Sequence, residues 1–167
     1  MARIGKVFIE DAHRETKLKS TAEEVIIINA KAKGTKAERE LVHKFWKTNQ
    51  WVVLRAPGSG SIKYPCPDIL AGNPQRKLAI ECKSTKQSRQ YLTIKEVDEL
   101  KLFARSFGAE PWIGVRFDSR IEQEENQSNN HWYFFIPEDM ERTSEQYVVS
   151  LEQAQRRGLL FEELVKF

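Results

Sequence analysis

Pro67-Asp68-Ile69-Leu70-Ala71-Gly72-Asn73-Pro74-Gln75-Arg76-Lys77-Leu78-Ala79-Ile80-Glu81-Cys82-Lys83-Ser84 holds two apolar runs either side of a turn sequence. Asn, Pro and Gln followed by Arg break both runs, so 73–76 is predicted to be the tip of a β-hairpin whose strands cover 68–72 and 77–84. With its midpoint between Pro74 and Gln75, Asp68 lies opposite Glu81. Cross-strand neighbours on one face have Cβ atoms roughly 4.5–5.5 Å apart, close enough for two carboxylates to share a hard divalent cation. Lys83, two residues beyond Glu81, shares that face, together with Leu70 and Ala79, while Ile69, Ile80 and Cys82 take the other. Apolar residues on both faces suit a sheet covered by helices on both sides.

The register decides this inference, because a slip by one residue would exchange the faces. Taken singly, the residues need be no more than an Asp at a strand start and a Glu–Lys ion pair. Two acids and a lysine converging on one partly buried face favour the functional account, since a cation offsets the cost of burying them.

Outward from the hairpin, Thr35 and Glu38 form a possible T-x-x-E capping box ahead of Leu41, Val42, Phe45 and Trp46, which predicts a helix beginning at Thr35. At about 100° per residue Glu38 projects into the apolar stripe, whereas Glu40 falls on the opposite, solvated face. Glu38 either completes the cap or supplies a further oxygen ligand, and the helix alone does not separate these. A strand is predicted over 51–55, a Gly-Ser loop over 56–61, a second capped helix from Thr93 and Glu96 to a stop at Gly108, and strands over 111–117 and 131–136. Short helical patterns follow around Ala154 and Leu164. This order predicts a mixed α/β domain with helices against a central sheet.

The chain has 167 residues, 40% of them hydrophobic and 31% charged, enough for one domain with a full core. No apolar run approaches a membrane span and nothing resembles a signal peptide. Cys66 and Cys82 have no metal-site spacing and cannot build a disulfide framework, so an intracellular compartment is expected. Net charge is only +3, but Lys31 to Lys63 holds eight Lys or Arg against two Glu, while Ile121 to Glu141 holds six acidic residues and no Lys or Arg. The basic stretch, with Lys33 and Lys63 near its ends, suits a polyanion such as DNA, although charge alone favours a solvated face. His13, His43 and His131 form no ligand cluster.

Lys33-Gly34, Glu38-Arg39-Glu40-Leu41-Val42, Val53-Leu54-Arg55-Ala56-Pro57 and Ser59-Gly60-Ser61, beside Pro67-Asp68 and Ile80-Glu81-Cys82-Lys83-Ser84, resemble the archaeal-type Holliday junction resolvases of the PD-(D/E)xK superfamily, which also occur in viruses and phages. The match runs from about Lys33 to Phe117 and more loosely to the C-terminus. The acid-to-Glu-x-Lys core is common to many nucleases, whereas the helix, arginine and serine motifs in this order are far more specific. The resemblance implies a restriction-endonuclease-like fold and a homodimeric enzyme that nicks two opposed strands of a four-way DNA junction with Mg²⁺, Mn²⁺ substituting, to leave 5′-phosphate and 3′-hydroxyl ends. It further implies Glu38, Asp68 and Glu81 as metal ligands, Lys83 as catalytic, Ser59 near the scissile phosphate, Arg39 and Arg55 on DNA, and Phe103 and Phe107 in the dimer helix. Residues 35–167 would be the nuclease domain and 1–34 an extension. The competing expectations are a nuclease of the same fold acting on duplex or damaged DNA and a DNA-binding module without catalysis.

Overall fold

The structure, a computed structural model, describes residues 34–56, 64–118 and 131–166. The chain divides into two units, Met1–Thr35 and Lys36–Phe167, and the architecture below is that of the second. Lys33, Ser59, Lys63 and the acidic stretch 122–130 lie outside the described residues.

Helix α1 covers 34–47. Strands β1 (Val52–Arg55), β2 (Ile69–Gly72) and β3 (Lys77–Thr85) follow, then β4 (Arg89–Thr93), helix α2 (Ile94–Phe107) and β5 (Glu110–Phe117). After them come β6 (Trp132–Phe135), a 3₁₀ turn (Pro137–Asp139), β7 (Glu141–Arg142), β8 (Gln146–Ser150), α3 (Leu151–Arg157), β9 (Leu159–Leu160) and α4 (Phe161–Leu164). The main sheet has the order β1-β2-β3-β5-β6-β9. Among the described residues only the β3–β5 pair is parallel, bridged by the crossover through α2 as a parallel connection requires.

The β2–β3 hairpin takes the register expected from its sequence, Ile69 opposite Ile80 and Leu70 opposite Ala79. Asn73 sets the turn: its side-chain Oδ1 accepts from the backbone N–H of Gln75 at 2.9 Å and of Arg76 at 2.7 Å. Both faces are covered. Ala37, Leu41 and Phe45 of α1 pack with Val53, Ile69, Leu78 and Ile80 on one side. Val97, Leu100 and Ala104 of α2 pack with Ala79, Ile113, Val115 and Phe117 on the other. Helix α2 opens with the predicted capping box, Thr93 with Glu96, and closes at Gly108 in the left-handed conformation (φ 71°), which glycine adopts without a Cβ penalty.

Several expectations need correction. Helix α1 is already formed at Gly34, so Thr35 lies inside the helix and is not its N-cap. Its buried stripe is Ala37, Leu41 and Phe45, spaced by four, and Trp46 points away from it and is exposed. By residue type Trp46 resembles a core residue and Ala37 does not, so the apolar pattern alone extends one residue too far. Strands β4, β7 and β8 form a separate three-stranded sheet absent from the sequence reading. Arg89–Thr93 carries polar residues at most positions, Gln146–Ser150 has an apolar run of only three, and their pairing with each other spans a long sequence separation.

Candidate active site

Strand β3 continues past the point where β2 begins. Ile80 is the last β3 residue with a β2 partner, whereas β3 stays paired to β5 as far as Thr85. The main chain of β3 therefore emerges from under β2 at Glu81, and Asp68, the residue before β2, fills the notch. The Cys82 N–H donates to Asp68 Oδ2 at 2.9 Å, and the Asp68 carbonyl accepts from the Ala56 N–H at 2.9 Å. An unsatisfied sheet N–H thus fixes the orientation of the Asp68 carboxylate.

Lys83 Nζ donates to Glu81 Oε1 and to Glu96 Oε1, both at 2.8 Å. The sequence predicts Glu96 only as a helix cap, and its Oε2 does accept from the Thr93 N–H and hydroxyl. No sequence feature points from α2 to Lys83; the crossover that lays α2 over β3 brings them together.

Burial pushes the Glu81 carboxyl up to about 7, with the Lys83 charge opposing and the Asp68 charge adding. For Lys83, burial alone would lower the pKa, but Glu81 and then Glu96 outweigh it and hold the ammonium well above the ordinary lysine value. Glu96 is also partly desolvated, yet the Lys83 hydrogen bond and charge bring it below the usual glutamate range. The outcome is a lysine that stays charged and a carboxyl poised near neutrality.

Glu38 lies beside the buried stripe of α1, and its Oε2 accepts from Arg55 Nη1 at 2.8 Å. Its charge, with those of Asp68 and Glu81, helps hold the Cys82 thiol well above its usual pKa, after the larger effect of burial. All three carboxylates therefore act electrostatically on one locality. Among the described residues, no three His, Cys, Asp or Glu side chains already converge as a metal cluster. Asp68 and Glu81 nonetheless fit a hard divalent cation. They are oxygen donors flanking one notch, and burial leaves Glu81 short of compensating positive charge.

Glu40, expected to be only solvated, instead accepts from the buried Arg116 at 2.6 Å. Arg116 also pairs with Asp118 at 2.8 Å and lies over the Trp132 ring at 5.9 Å. A lone buried arginine would be too costly without such partners. Arg39 is exposed. Phe103 is partly buried against the α2-side core and stacks at 5.5 Å on Phe107, which is 51% exposed.

The family model described as archaeal Holliday junction resolvase (Hjc) matches residues 29–167. A protein of Archaeoglobus fulgidus named crossover junction endodeoxyribonuclease Hjc is 37% identical over 140 residues, covering 80% of this chain and 95% of its own. One of Sulfurisphaera tokodaii with the same name is 30% identical over 141 residues, 82% of this chain and 88% of its own. The solved structure of Archaeoglobus fulgidus Hjc, a Holliday junction resolvase, superposes with a TM-score of 0.64 at 34% identity, covering 80% of this chain and 96% of that one. The mixed sheet with a helix layer on each face is accordingly a restriction-endonuclease-like fold. From the α1 motif through the Asp68, Glu81 and Lys83 centre to the C-terminal helices, this chain belongs to the archaeal Holliday junction resolvase family.

Proposed function

We propose that the protein is a crossover junction endodeoxyribonuclease that resolves four-way DNA junctions by paired nicks. The observation that carries the proposal is the meeting of Asp68, Glu81 and Lys83 at the notch where β3 outruns β2, in a chain of this family. Asp68 and Glu81 would hold Mg²⁺, for which Mn²⁺ substitutes, and Glu38 would join them by exchanging Arg55 for the cation. The ion's contribution when bound is to polarise the scissile phosphate and acidify an attacking water.

The chain's own residues supply the rest. Lys83, kept protonated between two carboxylates, donates to the phosphoryl oxygen that gains charge as water adds to phosphorus. The P–O3′ bond breaks and its oxygen takes up a proton, leaving a 3′-hydroxyl and a 5′-phosphate. Released from Glu38, Arg55 gains a fork suited to backbone phosphate, and exposed Arg39 extends that contact along α1. Lys33, Lys63 and Ser59, outside the described residues, are assigned to DNA contact and to the neighbourhood of the scissile phosphate. Phe103 and Phe107 would join two copies, because two symmetric sites can nick two symmetric strands. Residues 35–167 would make up the nuclease domain, with 1–34 an extension.

The test is nicking of a labelled four-way junction beside a linear duplex of one arm, with magnesium or EDTA, for the native chain and Asp68→Ala. Cutting of the junction alone, at paired positions, with magnesium and only by the native chain is expected. Equal cutting of the duplex would make the protein a general nuclease, and cutting of neither substrate would leave a DNA-binding module.

A further inference from the structure

Glu96 serves two partners at once, one with each carboxylate oxygen. Oε2 closes the capping box of α2 by accepting from the Thr93 N–H and hydroxyl, each at 2.7 Å. Oε1 leaves the helix altogether and accepts from Lys83 Nζ on β3 at 2.8 Å. The cap needs only the first of these contacts.

The ammonium of Lys83 has three donors at the end of a flexible four-carbon stem. Two are held, by Glu81 and Glu96, which leaves one N–H for a substrate oxygen. In the reaction proposed above Glu81 is also a cation ligand, so Glu96 is the carboxylate with no competing claim on it. Its backbone is held on a helix packed into the core through Val97, Leu100 and Ala104.

We propose that Glu96 is a positioning residue for strand cleavage, acting through Lys83 and tying the orientation of that lysine to the N-terminus of α2. The proposal rests on reading the chain as a nuclease with Lys83 in its catalytic centre.

Glu96→Gln separates the two jobs, because glutamine also closes a capping box but does not bring a negative charge to Lys83. Thr93→Ala is the complement, removing the cap hydroxyl while leaving the Lys83 contact. For the full chain, three quantities are compared: the single-turnover nicking rate at saturating protein with magnesium, the junction affinity with calcium in its place, and the melting temperature. Glu96→Gln is expected to slow nicking by about tenfold or more, with affinity and melting nearly unchanged. Thr93→Ala is expected to melt earlier and, below its transition, to nick at the native rate. Native nicking by Glu96→Gln would overturn the proposal and leave Glu96 as a cap alone. A loss of melting temperature or affinity in step with the rate would likewise make its role structural. Absence of nicking by the native chain would overturn the nuclease reading along with this one, which distinguishes the two failures.

Discussion

Burial raises the pKa of the Glu81 carboxyl against the opposing charge of Lys83, while Glu81 and Glu96 keep Lys83 protonated despite its own burial. A carboxyl whose pKa rises on folding from 4.5 to about 7 is favoured in its protonated form, so the folded chain is progressively penalised as pH rises across that interval, and fully so above it. A divalent cation held by the ionised form, as proposed above, would relieve the penalty. Magnesium is therefore expected to raise the melting temperature by several degrees at about pH 8 and much less at about pH 5. Glu81→Gln should remove both the rise and its pH dependence. Equal shifts at the two pH values would show that Glu81 is not the group that takes up the ion. Arg116 makes a related point without titration: its burial demands the Glu40 and Asp118 charges, so an acid that looks solvent-facing from helix periodicity is held by an arginine far away in sequence.

Elements meet at the hairpin tip through one side chain. Arg76 donates as a fork to Glu110, Nε to Oε1 at 2.8 Å and Nη2 to Oε2 at 2.6 Å. Its Nη1 donates to the Leu164 carbonyl at 2.9 Å, and the guanidinium lies over the Trp51 ring at 5.9 Å. One arginine thus joins the β2–β3 turn to β5, to α4 and to the residue before β1. Arg76→Ala should lower unfolding free energy by about 1–3 kcal/mol in urea denaturation near neutral pH. The hydrogen bond from Arg76 is the main cause that lowers the Glu110 pKa from its ordinary 4.5. A depressed carboxyl stabilises the fold above its unfolded value and loses that contribution as pH falls through its folded value. The difference between native and variant should then narrow as pH falls below the ordinary glutamate value of 4.5, and a difference that does not narrow on acidification would contradict the assignment.

At the scale of the whole molecule, α2 buries Val97, Leu100 and Ala104 yet leaves Leu102 45% and Phe107 51% exposed. An exposed aromatic stacked on a partner that reaches the core is the kind of anchor an interface uses. If two copies join through this helix, the native chain should sediment as a dimer, and Phe107→Asp should keep its fold by circular dichroism, sediment as a monomer and lose paired nicking. A variant that remains dimeric would assign the interface to another surface. No described helix is long and apolar enough to cross a membrane.

The hairpin and its register are readable from local sequence because strand alternation and turn chemistry act over a few residues. Asn73 marks the turn, and with the midpoint known, Asp68 falls opposite Glu81 and Lys83 falls on the same face. The same holds for the capped start of α2 and its glycine stop, where the hydrogen-bonding groups are five residues apart or fewer. What only the tertiary structure decided is the set of partners brought from distant elements: Glu96 against Lys83, Arg55 against Glu38, Arg116 against Glu40, and β4 against β8. Periodicity states which way a side chain points, but charge pairing depends on which elements pack together. That is set by the β3–α2–β5 crossover and the burial of α1 and α2 on opposite faces of the sheet, whose free energy is spread over the whole core.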